Sequence, residues 1–188
     1  MNLVTIDFDI IMWPSIEIYN DLVDGEFSVQ DILDNNPNGG FIPIADLWLY
    51  KYLTDYILEV SKKIDKDHII FIESHEEVYT KLKDIYPAIT LYNIDHHHDL
   101  GYGNNDECDC GSWAKYLLDN KKIYSYIWIN DEKSIQPDEK IKFKQYPIKE
   151  YSLAGLIPET DYLVICSSPT WVPREQLALV EVWKEICK

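Results

Sequence analysis

The stretch Asn93-Ile94-Asp95-His96-His97-His98-Asp99-Leu100-Gly101 carries the densest metal-ligand chemistry in the chain: three consecutive histidines between two aspartates, at the end of an apolar run. In an extended backbone the alternation puts Asp95, His97 and Asp99 on one side and leaves His96 and His98 on the other. Carboxylate oxygen mixed with imidazole nitrogen, without thiolate, suits Mn²⁺, Fe²⁺ or Zn²⁺ better than Ca²⁺ or a structural zinc. Asp7-Phe8-Asp9 adds donors of the same kind at the end of an apolar, β-branched run that begins at Leu3. On a strand, two carboxylates two residues apart project from the same face. Side by side at a buried strand end they need a cation or hydrogen bonds to compensate them, unless that end is simply solvated.

With His75, which follows the run His68-Ile69-Ile70-Phe71-Ile72-Glu73, the candidates are Asp7, Asp9, His75, Asp95, His97 and Asp99. That set exceeds what one metal needs from a protein if it must also hold a water. Several bridging-capable carboxylates fit two ions about 3.5 to 4 Å apart that clamp a shared water or hydroxide. Two adjacent dications lower the pKa of that water and make it a nucleophile near neutral pH. The implied chemistry is hydrolysis.

The elements that must position these residues are legible as an α/β alternation. Buried strands are expected over 3–11, 68–73, 88–94, 124–129 and 161–166, each a short apolar run. Three of them end in acids or histidine, and ligands of open α/β sheets bind at the carboxyl edge. Helices are expected over 46–63, with Asp46 as cap and Leu47, Tyr50, Leu53, Ile57 and Val60 at helical spacing, and from Ser74 to about Tyr86 before Pro87. Ser74 and Glu77 are spaced as a capping box. A further helix begins near Gly111 with Ser112 as cap, and a last one opens at Pro173 with Leu177, Val180, Val182 and Trp183 to bury. Trp48, Tyr50, Tyr52, Tyr56 and Trp128 are expected to be packing residues. The breaks are Trp13-Pro14, the polar loop 35–40, the glycine-rich loop 101–106 with Tyr102 as a candidate rim, and the charged excursion 134–144.

The chain has 188 residues, 46% of them hydrophobic and 27% charged, which fits one soluble domain spanning 1–188 with a single sizeable core. Seventeen basic against 33 acidic residues give a net charge of −16. Such a chain repels phosphate backbones and anionic membranes, so neither nucleic acid nor membrane is an expected partner, and a cationic ligand is steered favourably. No leader and no apolar stretch of membrane-spanning length stands out, so a cytoplasmic protein is expected. Cys108, Cys110, Cys166 and Cys187 are too scattered for a disulfide framework and are expected as free thiols. Cys108-Asp109-Cys110 has no second pair to complete a zinc site.

The motif pieces resemble the arginase/deacetylase superfamily of manganese ureohydrolases. Asp95-His96-His97-His98-Asp99 resembles that group's Asp-x-His-x-Asp strand end, Asp7-Phe8-Asp9 its Asp-x-Asp strand end, and His75 falls where the remaining histidine ligand lies. The Asp-x-Asp motif comes last in arginases and first here, an order similar to the small arginase-like group that includes peptide arginases. The resemblance implies a three-layer α/β domain with a mainly parallel sheet and two Mn²⁺ ions, with Fe²⁺ or Zn²⁺ as alternatives. It implies Asp95 and Asp7 bridging both ions, His75 and Asp99 completing one, and His97 and Asp9 the other. Asp99 would also accept a hydrogen bond from the bridging hydroxide that attacks the guanidinium carbon and releases urea. The substrate would be an arginine-containing peptide, converted to ornithine, or a small guanidino compound. The family's proton-shuttling histidine and guanidinium-gripping acid have no aligned match; His98, His96 and Glu73 are the residues near enough in sequence to stand in.

Asp95-His96-His97 is also the signature triplet of the Asp-His-His phosphoesterases, which use paired manganese on an α/β sheet. Those enzymes usually add a histidine-containing first motif and a second domain, and neither is expected here. A third possibility is a non-catalytic metal-binding interaction module, for which the 13% aromatic content and the missing shuttle speak. Sequence gives no reading of oligomeric state.

Overall fold

The computed structural model describes residues 1–12, 29–35, 45–82, 89–101, 108–132, 134, 136 and 143–188. The Trp13-Pro14 break, the expected loops 36–40 and 102–106 with Tyr102, the helix end at Tyr86 and Pro87, and most of the excursion 134–144 lie outside the described residues. Six strands form one sheet: β1 (Asn2–Asp7), β2 (Ile69–Ile72), β3 (Ile89–Ile94), β4 (Ile123–Asn130), β5 (Lys144–Pro147) and β6 (Tyr162–Cys166). Their order is β2-β6-β1-β3-β4-β5, and every pairing is parallel. All six carboxyl ends therefore lie along one edge.

Helices cover both faces, as strands buried on both sides require. One face packs Val4, Ile6, Ile94 and Ile165 against α2 (Leu47–Ser61) and α6 (Ala178–Ile186). The other packs Leu3, Leu91 and Val164 against α3 (Glu76–Leu82) and α4 (Trp113–Asp119). Two short helices, α1 (Val29–Asn35) and α5 (Leu153–Leu156), complete the set among the described residues. The result is a three-layer α/β domain. In α2, Leu49, Leu53 and Ile57 are fully or almost fully buried, and each such side chain contributes about 1.5 to 3 kcal/mol by leaving water. Asp46 caps this helix by accepting from Leu49 N at 3.0 Å. None of the described helices is long and apolar enough to cross a membrane.

Several local expectations are corrected. The first strand stops at Asp7, because the Asp7 carboxylate accepts the Asp9 N–H at 3.0 Å and turns Phe8–Ile11 into a 3-10 helix. The strand β2 is half-buried rather than buried, since it lies at the sheet edge. Ser74 donates its hydroxyl to Glu76 instead of capping, while the other half of the box forms as Glu77 accepts from Ser74 N at 3.3 Å. Ser112 gives no side-chain cap either, as its hydroxyl donates to Asp109 at 2.5 Å. Leu47 is 70% and Val182 45% exposed. Leu47 starts its helix outside the core stripe, and the last helix begins only at Ala178, burying Val180 and Trp183 on the face opposite Val182.

Candidate metal centre

The chain leaves β1 toward β2 on one side of the sheet and leaves β3 toward β4 on the other. Diverging connections open a crevice at the carboxyl ends of the adjacent strands β1 and β3, the switch point where α/β sheets bind ligands. Asp7 and Asp9 come from the end of β1, Asp95 to Asp99 from the end of β3, and His75 from the turn between β2 and α3. All but His97 among the six are buried, and His97 is half-buried.

The turn after β3 is not extended. Asp95 Oδ1 accepts the His97 N–H at 2.8 Å, His98 Nδ1 accepts the Leu100 N–H at 3.0 Å, and Asp99 takes a left-handed φ of 51°. Asp95, His97 and Asp99 nevertheless enter the cluster, by a bend rather than by strand alternation. His75 Nδ1 lies 3.2 Å from Asp7 Oδ2, 3.2 Å from Asp95 Oδ2 and 3.3 Å from Asp99 Oδ2. His97 Nδ1 lies 3.0 Å from Asp9 Oδ2 and 3.6 Å from Asp95 Oδ1. The two oxygens of Asp95 thus face the two histidines separately. Donor atoms group as His75, Asp95 and Asp99, as Asp9, Asp95 and His97, and as Asp7, His75 and Cys166, each within 4.8 Å.

One imidazole nitrogen carries at most one proton and cannot satisfy three carboxylates. Donors about 2.1 Å from an octahedral ion lie about 3.0 Å apart at adjacent vertices, close to the spacing around His75 Nδ1. Asp9 Oδ1 is buried without a hydrogen-bond partner, the signature of a group awaiting a ligand. Charge agrees. Burial first, then Asp9 and Asp95, push the Asp7 carboxyl well up, and burial followed by the charge of Asp95 pushes Asp99 up to about 8. Burial alone would lower His75 and His97, but Cys166 and Asp7 around the first and Asp9 and Asp95 around the second outweigh it and raise both. Asp95 is held well below the usual range, because the hydrogen bonds from His75 and His97 overcome its burial. Protons are thus drawn to the cluster where two dications would supply the compensating charge of four carboxylates.

A layer beneath holds these donors. The Asn93 amide, its oxygen accepting from Thr5 Oγ1 at 2.5 Å, donates to Asp95 Oδ2 at 3.2 Å and reaches Asp99 Oδ2 at 3.4 Å. Trp113 Nε1 donates to Asp99 Oδ2 at 2.6 Å, Trp128 Nε1 to the Asp95 carbonyl at 2.9 Å, and Ser168 Oγ to Asp7 Oδ2 at 2.6 Å. Trp128 packs as expected and also orients the turn; the supporting roles of Trp113 and Ser168 carry no sequence signal. Of the candidate stand-ins, Glu73 has an exposed side chain at the sheet edge. His98 packs edge-on against Trp128, and burial followed by the neighbouring His97 lowers it to about 4. His96 Nδ1 lies 3.0 Å from Asp131 Oδ2, just past β4. Asp131 carries no sequence signal, since it follows Asn130 in a strand tail without a motif.

No family model, curated protein or solved structure matches the chain.

Proposed function

We propose that the chain is a binuclear metal-dependent hydrolase of a guanidino group, acting on peptidyl arginine to give ornithine and urea, with two Mn²⁺ and with Fe²⁺ or Zn²⁺ as alternatives. The observation that carries this reading is the convergence of four aspartates and two histidines at the switch point of a parallel sheet, in groups that overlap through Asp95 and His75. Asp95 and Asp7 would help to hold the pair of ions, with His75 and Asp99 on one and His97 and Asp9 on the other. When bound, the ions would supply a water activated near neutral pH and charge stabilisation for its addition. The net charge of −16 favours a guanidinium over a phosphoester.

Hydrolysis adds water across the bond between the guanidino carbon and the chain nitrogen, and the departing nitrogen takes up a proton. Asp99, held by Trp113, is the carboxylate assigned to accept a hydrogen bond from the attacking water. The His96 and Asp131 pair is better set than the exposed Glu73 or the inward-turned His98 to deliver the leaving proton, because the carboxylate fixes the ring. Urea release from an arginine peptide by the Mn²⁺-loaded chain, abolished in Asp95→Asn, tests the proposal. Cleavage of phosphate esters without urea release would transfer the site to the Asp-His-His phosphoesterase reading, and metal binding without either activity to the interaction module.

A further inference from the structure

Cys166 ends β6 as the register neighbour of Asp7 on β1 and of Ile72 on β2. The residue is fully buried. Its sulfur shares a cluster with Asp7 and His75 in which one donor atom of each residue lies within 4.8 Å of the others. His75 is 2% exposed, and its Nε2 is buried without a hydrogen-bond partner. Ser168 Oγ lies 3.2 Å from the Cys166 sulfur and donates to Asp7 Oδ2 at 2.6 Å, so thiol and carboxylate meet through one hydroxyl. Among the described residues, the sulfur also contacts the Glu73 carbonyl, at 3.5 Å. The opposite group, Asp9, Asp95 and His97, offers only oxygen and nitrogen.

We infer that Cys166 is a sulfur ligand of the ion held by Asp7 and His75, so that the two halves of the centre differ in metal preference. The inference rests on the metal-centre reading above and deepens it. Thiolate selects Zn²⁺ or Fe²⁺ over Mn²⁺, whereas a carboxylate and imidazole set accepts Mn²⁺. The half against β6 therefore prefers Zn²⁺ or Fe²⁺ where they compete with Mn²⁺, and the half at Asp9, Asp95 and His97 carries no such preference. A zinc ion with sulfur at about 2.3 Å and nitrogen or oxygen at about 2.0 to 2.1 Å sets its donors roughly 3.3 to 3.6 Å apart, which asks a shift of about 1 Å of this cluster. On binding, the S–H bond breaks, a sulfur–metal bond forms, and the proton leaves to solvent.

Co²⁺ is the probe. Thiolate ligation gives it an intense near-ultraviolet charge-transfer absorption, while visible ligand-field bands report binding by any donors. The wild-type chain should show both. Cys166→Ser and Cys166→Ala should keep the ligand-field bands and lose the charge-transfer absorption. Their preference for Zn²⁺ over Mn²⁺ should fall by about tenfold or more, since even loss of a ligand's outer partner costs that much. X-ray absorption of the Zn²⁺-loaded wild type, which needs no variant, should find one sulfur at about 2.3 Å. Ligand-field bands without charge transfer in the wild type, or charge transfer that survives in Cys166→Ser, overturn the sulfur ligand and leave the centre standing. Absence of any cobalt band in the wild type overturns the centre itself and the inference with it.

Discussion

Replacing Trp113 by Phe isolates the hydrogen bond that fixes Asp99. The indole Nε1 donates to Asp99 Oδ2 at 2.6 Å, and both residues are buried, at 0% and 2% exposure. The other contacts of that oxygen are longer, 3.3 Å to His75 Nδ1 and 3.4 Å to Asn93 Nδ2. Without metal, Asp99 is pushed up to about 8 by burial and by Asp95, so at neutral pH the acceptor is uncharged and the bond contributes about 1 kcal/mol. The smaller ring leaves a gap on the order of 40 Å³, which costs about 1 kcal/mol. With metal bound Asp99 is ionised, and the same bond contributes about 1.5 to 3 kcal/mol. The variant should lose about 2 kcal/mol unloaded and roughly 2.5 to 4 kcal/mol loaded, or roughly 4 to 8 °C and 5 to 16 °C in Tm for a chain of this length. The difference of about 0.5 to 2 kcal/mol appears as roughly 2- to 30-fold weaker metal binding. Scanning calorimetry with and without Mn²⁺, paired with a metal titration, measures both quantities. Equal losses of Tm in the two states together with wild-type metal affinity would refute the role given to Trp113.

Asp131→Asn should lower kcat on an arginine peptide about 100-fold while leaving metal content unchanged, because it frees the His96 ring without touching a ligand; an unchanged kcat removes the pair from the mechanism. Glu73→Gln should leave turnover at the wild-type level in the same assay, its side chain being exposed. The Tyr56 hydroxyl, packed 3.1 Å from Thr160 Oγ1, is pushed by burial from 10.0 up to about 12. The folded chain therefore keeps this proton after the unfolded chain has lost it. Its contribution to stability is fully present below pH 10 and is lost as pH rises to about 12, on the order of 2 kcal/mol over the window. Denaturant titrations should show that Tyr56→Phe flattens this alkaline loss, and a slope as steep as in the wild type would contradict the assignment.

The sequence makes the central strands legible because strands buried on both faces are uninterrupted apolar runs: β3 and β6 lie within a residue or two of the expected spans, and β1 starts where expected but ends four residues early, at Asp7. The donors were legible for the same reason: acids and histidines that interrupt such runs at their ends stand out. Asp9 shows the limit, because it reaches the cluster through a 3-10 turn that the Asp7 carboxylate itself stabilises, a local competition that strand alternation does not contain. The strand β5, Lys144-Gln145-Tyr146-Pro147, carries no apolar run, since an edge position demands none. Asp131, Ser168 and Cys166 join the site only because strand order sets the ends of β4 and β6 close to β3 and β1, and order is a long-range property that no local spacing encodes.

A two-ion centre that shares Asp95 fixes how much metal each chain binds. Elemental analysis after loading with Mn²⁺ and desalting, on the wild type beside Asp95→Asn, should give close to two ions in the wild type and far fewer in the variant. Little or no metal in the wild type, or two ions retained by Asp95→Asn, would rule out such a centre.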